Sequence, residues 1–132
     1  MRKKILDTSV LISHWRRRWG DARKRPAVAD VQRWARELID LYNTDAIVTP
    51  VYVEMLAGIT SRQHLQLTRA FLSEFQCIDE GVVPPVDWEE TIRLAQRVPS
   101  RSRPRDLGDC LIRAIANRLR HDVMTFDTGF AS

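Results

Sequence analysis

Short β-rich apolar runs alternate with longer helical patterns along this chain, and this alternation is the sequence feature that most limits its fold. The clearest strand candidates are Lys4–Leu6 and residues 46–48 and 123–126, with long amphipathic segments between them. Strands that alternate with helices of this length favour a mostly parallel sheet covered by helices. We therefore predict a layered α/β domain.

Helices are predicted where apolar residues recur three or four positions apart. The segments with this pattern are Val28–Tyr42 and residues 65–75, 87–98 and 109–119. Another helix is expected to begin just after Thr8 or Ser9, with either hydroxyl as its cap. Thr49 is expected to cap a helix that has Pro50 in its first turn and stops at Gly58. We interpret the basic segment 16–26 as a loop or a frayed helix end.

The length and composition are typical of one folded domain. The chain has 132 residues, of which 44% are hydrophobic and 29% charged, a profile that excludes a disordered protein. This length accommodates one core but hardly two, so we treat residues 1–132 as a single domain. The net charge of +4 permits a polyanionic partner without requiring one.

Arginines form two clusters in the sequence. One cluster lies within residues 16–25, and the other consists of Arg97, Arg101, Arg103 and Arg105. Each cluster taken alone is as well explained by a solvated face as by a binding surface. Because the second cluster immediately precedes Asp109, we interpret Arg101, Arg103 and Arg105 as candidate contacts for the phosphates of a polyanionic partner.

The sequence favours a cytoplasmic protein. Cys77 and Cys110 are too few for a disulfide framework, and their apolar neighbours indicate buried thiols. The basic N-terminus resembles the start of a signal peptide, but Asp7 interrupts its apolar run and arginines occupy residues 16–18, where a cleavage site would be needed. No stretch has the roughly 20 apolar residues of a membrane helix, so no membrane partner is expected.

Acidic residues fall where the predicted strands end. Asp7 follows the first strand and Asp127 follows the last. Glu54 lies about one turn into the helix after the second strand, and Asp109 opens the helix before the last strand. Ligands of parallel sheets bind beyond the carboxyl ends of the strands, so these four side chains are expected to meet at one edge.

Four carboxylates that meet repel one another unless some bind protons or a cation is present. Mg²⁺ prefers hard oxygen ligands and commonly binds beside phosphate. A carboxylate-held metal ion can activate water and stabilise charge on a phosphodiester. The set of Asp7, Glu54, Asp109 and Asp127 thus favours a metal-dependent phosphodiesterase.

Other interpretations exist for each acid and for the whole set. Asp109 alone is explained as a helix cap, and Asp127 as the start of a turn. A phosphatase with an aspartyl nucleophile usually has a second Asp two positions on, where this chain has Ser9. The main alternative function is a binding or scaffold module that keeps the fold with a silent site, and the presence of all four acids argues against it.

Four segments resemble, in order, the motifs of PIN-domain proteins, especially the VapC-type ribonuclease toxins of type II toxin–antitoxin systems. The segments are residues 5–12 (ILDTSVLI), 49–58 (TPVYVEMLAG), 108–116 (GDCLIRAIA) and 125–130 (TFDTGF). Each contributes one of the acids, and together they span nearly the whole chain.

The resemblance implies a compact three-layer α/β/α fold and a Mg²⁺ or Mn²⁺ site made by Asp7, Glu54, Asp109 and Asp127. It implies hydrolysis of RNA by a metal-bound water, which leaves a 5′-phosphate and a 3′-hydroxyl. It also implies a homodimer and inhibition by a small antitoxin protein.

Several side chains near these acids have two interpretations. Thr8, Ser9 and Thr125 are candidates to supply a supporting hydroxyl near the metal. In the alternative interpretation, Thr8 or Ser9 is a helix cap and Thr125 is an ordinary β-branched strand residue. Trp15 and Trp19 are candidates for stacking on bases, although packing is the stronger interpretation. We interpret the three histidines as structural or surface residues.

Overall fold

A computed structural model describes residues 2–97 and 105–127. Its elements in chain order are β1 (Lys4–Leu6), α1 (Thr8–Asp21), α2 (Val28–Tyr42), β2 (Ala46–Ile47), α3 (Thr49–Leu56), α4 (Arg62–Leu72), β3 (Gln76–Cys77), α5 (Pro85–Ala95), α6 (Leu107–Leu119) and β4 (Asp122–Met124).

The strands form two short parallel pairs. β1 pairs with β4, with Lys4 opposite Asp122 and Leu6 opposite Met124. β2 pairs with β3, with Ala46 opposite Gln76. The two pairs adjoin because β1 contacts β2, and the Thr44 hydroxyl, just before β2, donates to the Lys4 carbonyl at 2.7 Å. Helices connect and flank these strands, which confirms the predicted α/β fold with parallel strands.

The core lies between the strands and the helices. Ile5 and Leu6 of β1 and Ile47 of β2 are fully buried, as is Ile115 of α6. Burying one such side chain contributes about 1.5–3 kcal/mol, so the strands are anchored by packing despite their length. Asp87 of α5 is also buried, and Arg118 of α6 donates to it at 2.8 Å, which joins these two helices.

Helix α1 begins and ends differently from the prediction. Its cap is Asp7, whose carboxylate accepts the Thr8 N–H at 2.8 Å, so neither Thr8 nor Ser9 is the cap. The helix continues to Asp21, so residues 16–21 of the basic segment are helical and only residues 22–26 form the predicted loop. Aromatic packing explains the extension, because Trp19 lies 5.5 Å from Trp15 between ring centroids.

Two other helix starts are corrected. Val48 caps α3, and Thr49 is its first helical residue. The acceptor for Thr49 is Asp79, just after β3, which takes its N–H at 3.0 Å and its hydroxyl at 2.8 Å. Helix α6 starts at Leu107 with Asp106 as cap, so Asp109 lies in the first turn and does not open the helix.

The remaining boundaries shift by a few residues. Helix α5 spans Pro85–Ala95. Its first residue lies two positions before the start of the predicted segment 87–98, and its last residue lies three positions before the end of that segment. The last strand ends at Met124. Beyond it, the Phe126 N–H donates to the Ser9 side chain at 3.0 Å and not to a neighbouring strand.

Cys77 and Cys110 are free thiols. Across residues 2–97 and 105–127, no helix is both long enough and apolar enough to cross a membrane.

Candidate active site

Asp7 lies at the carboxyl end of β1 and is only 4% exposed. One carboxylate oxygen accepts the Thr8 N–H at 2.8 Å. The other oxygen accepts the Ser9 hydroxyl at 3.0 Å and the Thr125 hydroxyl at 2.6 Å. Three donors, two from the start of α1 and one from the segment after β4, therefore fix the orientation of this carboxylate.

The same hydroxyls hold the segment that follows β4. Ser9 Oγ and Thr125 Oγ1 lie 3.2 Å apart. The Asp127 N–H donates to Thr125 Oγ1 at 2.9 Å. The hydroxyl residues suggested by the sequence are thus in contact with the site: Ser9 and Thr125 with Asp7, and Thr8 with Glu54 at 3.0 Å.

Asp109 and Asp127 form a carboxyl pair. Burial, a hydrogen bond with Asp127 and repulsion from Asp106 and Asp7 raise the pKa of Asp109 to about 7. Two carboxyl groups can share a hydrogen bond only when one of them carries a proton. Below about pH 7 this end of the site therefore holds a proton where like charges would otherwise repel.

Glu54 approaches the other acids from α3. Partial burial of its side chain is the largest effect and raises its pKa, and repulsion from Asp106 and Asp7 raises it further. The hydrogen bond from Thr8 opposes this shift. Gly108 of α6 makes room for this carboxylate, because a Cβ at position 108 would lie 2.8 Å from Glu54 Oε1. The residue still has solvent access, so its carboxylate is open to a ligand.

Arg113 is a site residue that the sequence interpretation missed. It lies one turn after Asp109 on α6, is half-buried, and lines a narrow crevice with Asp7, Asp109, Thr125 and Asp127. Burial lowers its pKa, while the attraction of Asp7, Asp109 and Asp127 opposes the change. A detectable signal was the Asp–Arg spacing of four, which puts both side chains on one helix face.

Asp106 is the second residue that was missed. It caps α6 by accepting the Asp109 N–H at 3.2 Å, and its charge raises the pKa of both Glu54 and Asp109. The sequence signal was a second Asp three residues before Asp109.

The structure thus brings Asp7, Asp109 and Asp127 to one crevice, with Glu54 beside Thr8 and Gly108. Within the described ranges, no three acidic, cysteine or histidine side chains are spaced to hold an ion together. The donor chemistry nevertheless fits a hard divalent cation, because carboxylate oxygens that crowd one another are its preferred ligands.

The candidate phosphate contacts are only partly visible. Arg105 donates through Nε to the Arg97 carbonyl at 3.3 Å, just before α6. Arg101 and Arg103 lie outside the described residues.

The aromatic and histidine side chains near α1 pack within the fold. Trp15 is 6% exposed and contacts the rings of Trp34 and Phe71, so its role is packing. His14 is buried, with Nε2 2.9 Å from the Trp34 carbonyl. Burial lowers the pKa of His14, which makes it a neutral structural residue at pH 7.

Short parallel strands flanked by helices, with carboxylates at the strand ends, define an α/β protein with an acidic crevice. The chain matches the PIN domain family over residues 4–132, and it belongs to that family. PIN domains are nucleases, and they usually depend on a metal ion. A search of curated proteins gave no significant match.

Proposed function

We propose that this chain is a cytoplasmic Mg²⁺-dependent endoribonuclease and the toxin of a type II toxin–antitoxin pair, with Mn²⁺ as an alternative ion. Membership of a nuclease family supports the reaction class. The observation that carries the proposal is the crevice in which Asp109 pairs with Asp127 beside Asp7. The toxin role and the RNA substrate rest on the motif resemblance at residues 5–12, 49–58, 108–116 and 125–130.

In this proposal Asp7, Glu54, Asp109 and Asp127 hold the ion. A bound Mg²⁺ supplies an activated water and stabilises negative charge on the phosphodiester. Ser9 and Thr125 keep Asp7 oriented toward the crevice through their hydrogen bonds. The proton shared by Asp109 and Asp127 passes to solvent before both carboxylates act as ligands.

The test is cleavage of total cellular RNA by the purified chain with Mg²⁺, with Mn²⁺ and with EDTA. Asp7→Asn keeps the size of the side chain but removes its charge, so cleavage is expected to fall by at least about 100-fold. Asp40→Asn, on the exposed surface of α2, is the matched control and should retain full activity. Cleavage in EDTA, or by Asp7→Asn, would contradict the proposal.

The scaffold alternative has a separate readout. If the site binds metal, Mg²⁺ should raise the melting temperature of the protein, because a ligand that binds the native state stabilises that state. Absence of both cleavage and stabilisation would favour a silent binding module. Stabilisation without cleavage would indicate that the RNA mixture lacked the substrate.

We also propose a homodimer and a small antitoxin partner, both on the basis of the same resemblance. The mass of the purified chain in solution tests the dimer. Co-expression with the product of a neighbouring small gene tests the antitoxin, since a cognate partner should co-purify and suppress cleavage.

A further inference from the structure

Arg113 carries a permanent positive charge into the acidic site. A guanidinium has an ordinary pKa so far above neutrality that burial leaves it charged. Helix α6 directs it beside Asp109, and the crevice adds Asp7 and Asp127 around it. A half-buried cation is tolerated where carboxylates compensate its desolvation, which is the arrangement at Arg113.

This charge only partly neutralises the acids. Three carboxylates, those of Asp7, Asp109 and Asp127, line the crevice with this one guanidinium. The site therefore keeps a net demand for positive charge after Arg113 is counted. Glu54 does not line the crevice that holds Arg113 and lies instead beside Thr8 and Gly108.

The acids thus fall on two sides of the site. Asp7, Asp109 and Asp127 lie around the Arg113 guanidinium, whereas Glu54 lies beside Thr8 and Gly108. A pair of divalent ions needs carboxylates around both positions, and two such ions typically lie about 3.5–4 Å apart. Around Asp7, Asp109 and Asp127, the guanidinium already supplies the charge that a second ion would bring.

We propose that Arg113 takes the place of a second divalent cation, so that each chain binds a single ion and the guanidinium supplies the remaining positive charge. This inference rests on the proposed metal-dependent function. The planar N–H donors of arginine also suit phosphate oxygens, so the charge that replaces the ion is one that a phosphodiester can contact.

The experiment is titration of the purified full chain with Mn²⁺ by calorimetry, without RNA. The wild type should bind one ion per chain. Arg113→Met keeps the apolar stem and removes the charge, so it should bind a second ion or bind the first roughly tenfold more tightly or better. Arg113→Lys retains the charge and should match the wild type.

Two controls separate this effect from general ones. Arg33→Met removes an exposed arginine of α2 that pairs with Asp30, and it should leave binding unchanged. The Mn²⁺-induced rise in melting temperature should be larger for Arg113→Met than for wild type, and Arg113→Gln gives the same comparison if the Met variant does not fold.

Two ions in the wild type, or identical binding by wild type and Arg113→Met, would overturn the inference and leave the nuclease proposal standing. Absence of Mn²⁺ binding by every protein would overturn both. Where cleavage is also measured, high Mn²⁺ should partly rescue Arg113→Met.

Discussion

At the scale of single residues, the position of Glu54 in the site depends on Gly108, which has no side chain. The Glu54 carboxyl group can occupy its observed position against the first turn of α6 because Gly108 has no Cβ, since that atom would come within 2.8–2.9 Å of the carboxyl atoms. The crowded atoms belong to the end of a flexible side chain, so a substitution there is expected to move the carboxylate and not the backbone.

Gly108→Ala should therefore separate stability from activity. Alanine favours a helix over glycine by about 1 kcal/mol, so the melting temperature should stay the same or rise. RNA cleavage and Mg²⁺-induced stabilisation should both fall, because Glu54 is displaced. Unchanged cleavage by a folded Gly108→Ala protein would show that the position of Glu54 is not critical.

The raised pKa of Asp109 predicts a pH dependence of stability when metal is removed. The folded protein holds the proton up to about pH 7, whereas an ordinary Asp releases it near 3.8. The folded state thus binds more protons in this window, and its free energy of unfolding falls as the pH rises from about 4 to 7. After allowance for solvent screening, the loss is on the order of 1–3 kcal/mol.

Asp109→Asn should remove this part of the pH dependence and raise the melting temperature in EDTA at pH 8. Melting curves from pH 4.5 to 8, with Asp40→Asn as control, give the measurement. An equal decline in wild type and Asp109→Asn would mean that Asp109 ionises normally.

The sequence identified the four acids as candidates because parallel strands deliver their ends to one edge. Arg113 and Asp106 were missed because local rules have ready explanations for both, a helix charge and a cap. Their proximity to the other acids depends on how α6 lies against α3 and β4, which is set by tertiary packing.

At the scale of elements, α3 is held at its start by a residue from another part of the chain. Asp79 is 5% exposed and accepts both the N–H and the hydroxyl of Thr49. The sequence located the beginning of α3 to within a residue but named Thr49 as the cap. It could not reveal Asp79, because that acceptor comes from 30 positions away.

Asp79→Ala should lower stability by about 1–3 kcal/mol, since it leaves two donors of Thr49 without their buried acceptor. It should also lower cleavage at temperatures where the protein is folded, because α3 carries Glu54. Asp30→Ala is the matched control, as Asp30 accepts the Ala27 N–H at the start of α2, which carries none of the four acids.

Asp30→Ala is expected to lose stability and keep activity. Melting curves and cleavage assays on both variants provide the comparison. If the two variants lose activity in proportion to stability alone, Asp79 has no role in positioning Glu54.

At the scale of the whole molecule, the alternation of strands and helices was sufficient to predict the fold class. The prediction failed for residues 16–21 of the basic segment, where charge density suggested a loop or a frayed helix end, and it was correct for residues 22–26, which are not helical. Contacts of Trp19 with Trp34 and His64, which lie far apart in sequence, support a helix at residues 16–21. Hydrophobic periodicity cannot anticipate such contacts.

The distribution of charge predicts that RNA binding weakens with salt. Each phosphate contact to single-stranded nucleic acid contributes about 0.7 to the slope of log affinity against log salt. Replacing Arg101, Arg103 and Arg105 together by Ala should therefore reduce that slope by about 2. Binding to catalytically inactive Asp7→Asn protein across a salt series is the measurement, and an unchanged slope would exclude these arginines from the interface.

The parallel pairing of β1 with β4 has a consequence for how the protein is made. Asp7 is synthesised before Thr125, and their contact joins residues 118 positions apart. Such distant contacts form late, because a long loop must close first. The hydrogen bonds around Asp7 are thus complete only after β4 and Thr125 have been synthesised, and any product truncated before β4 lacks the completed site.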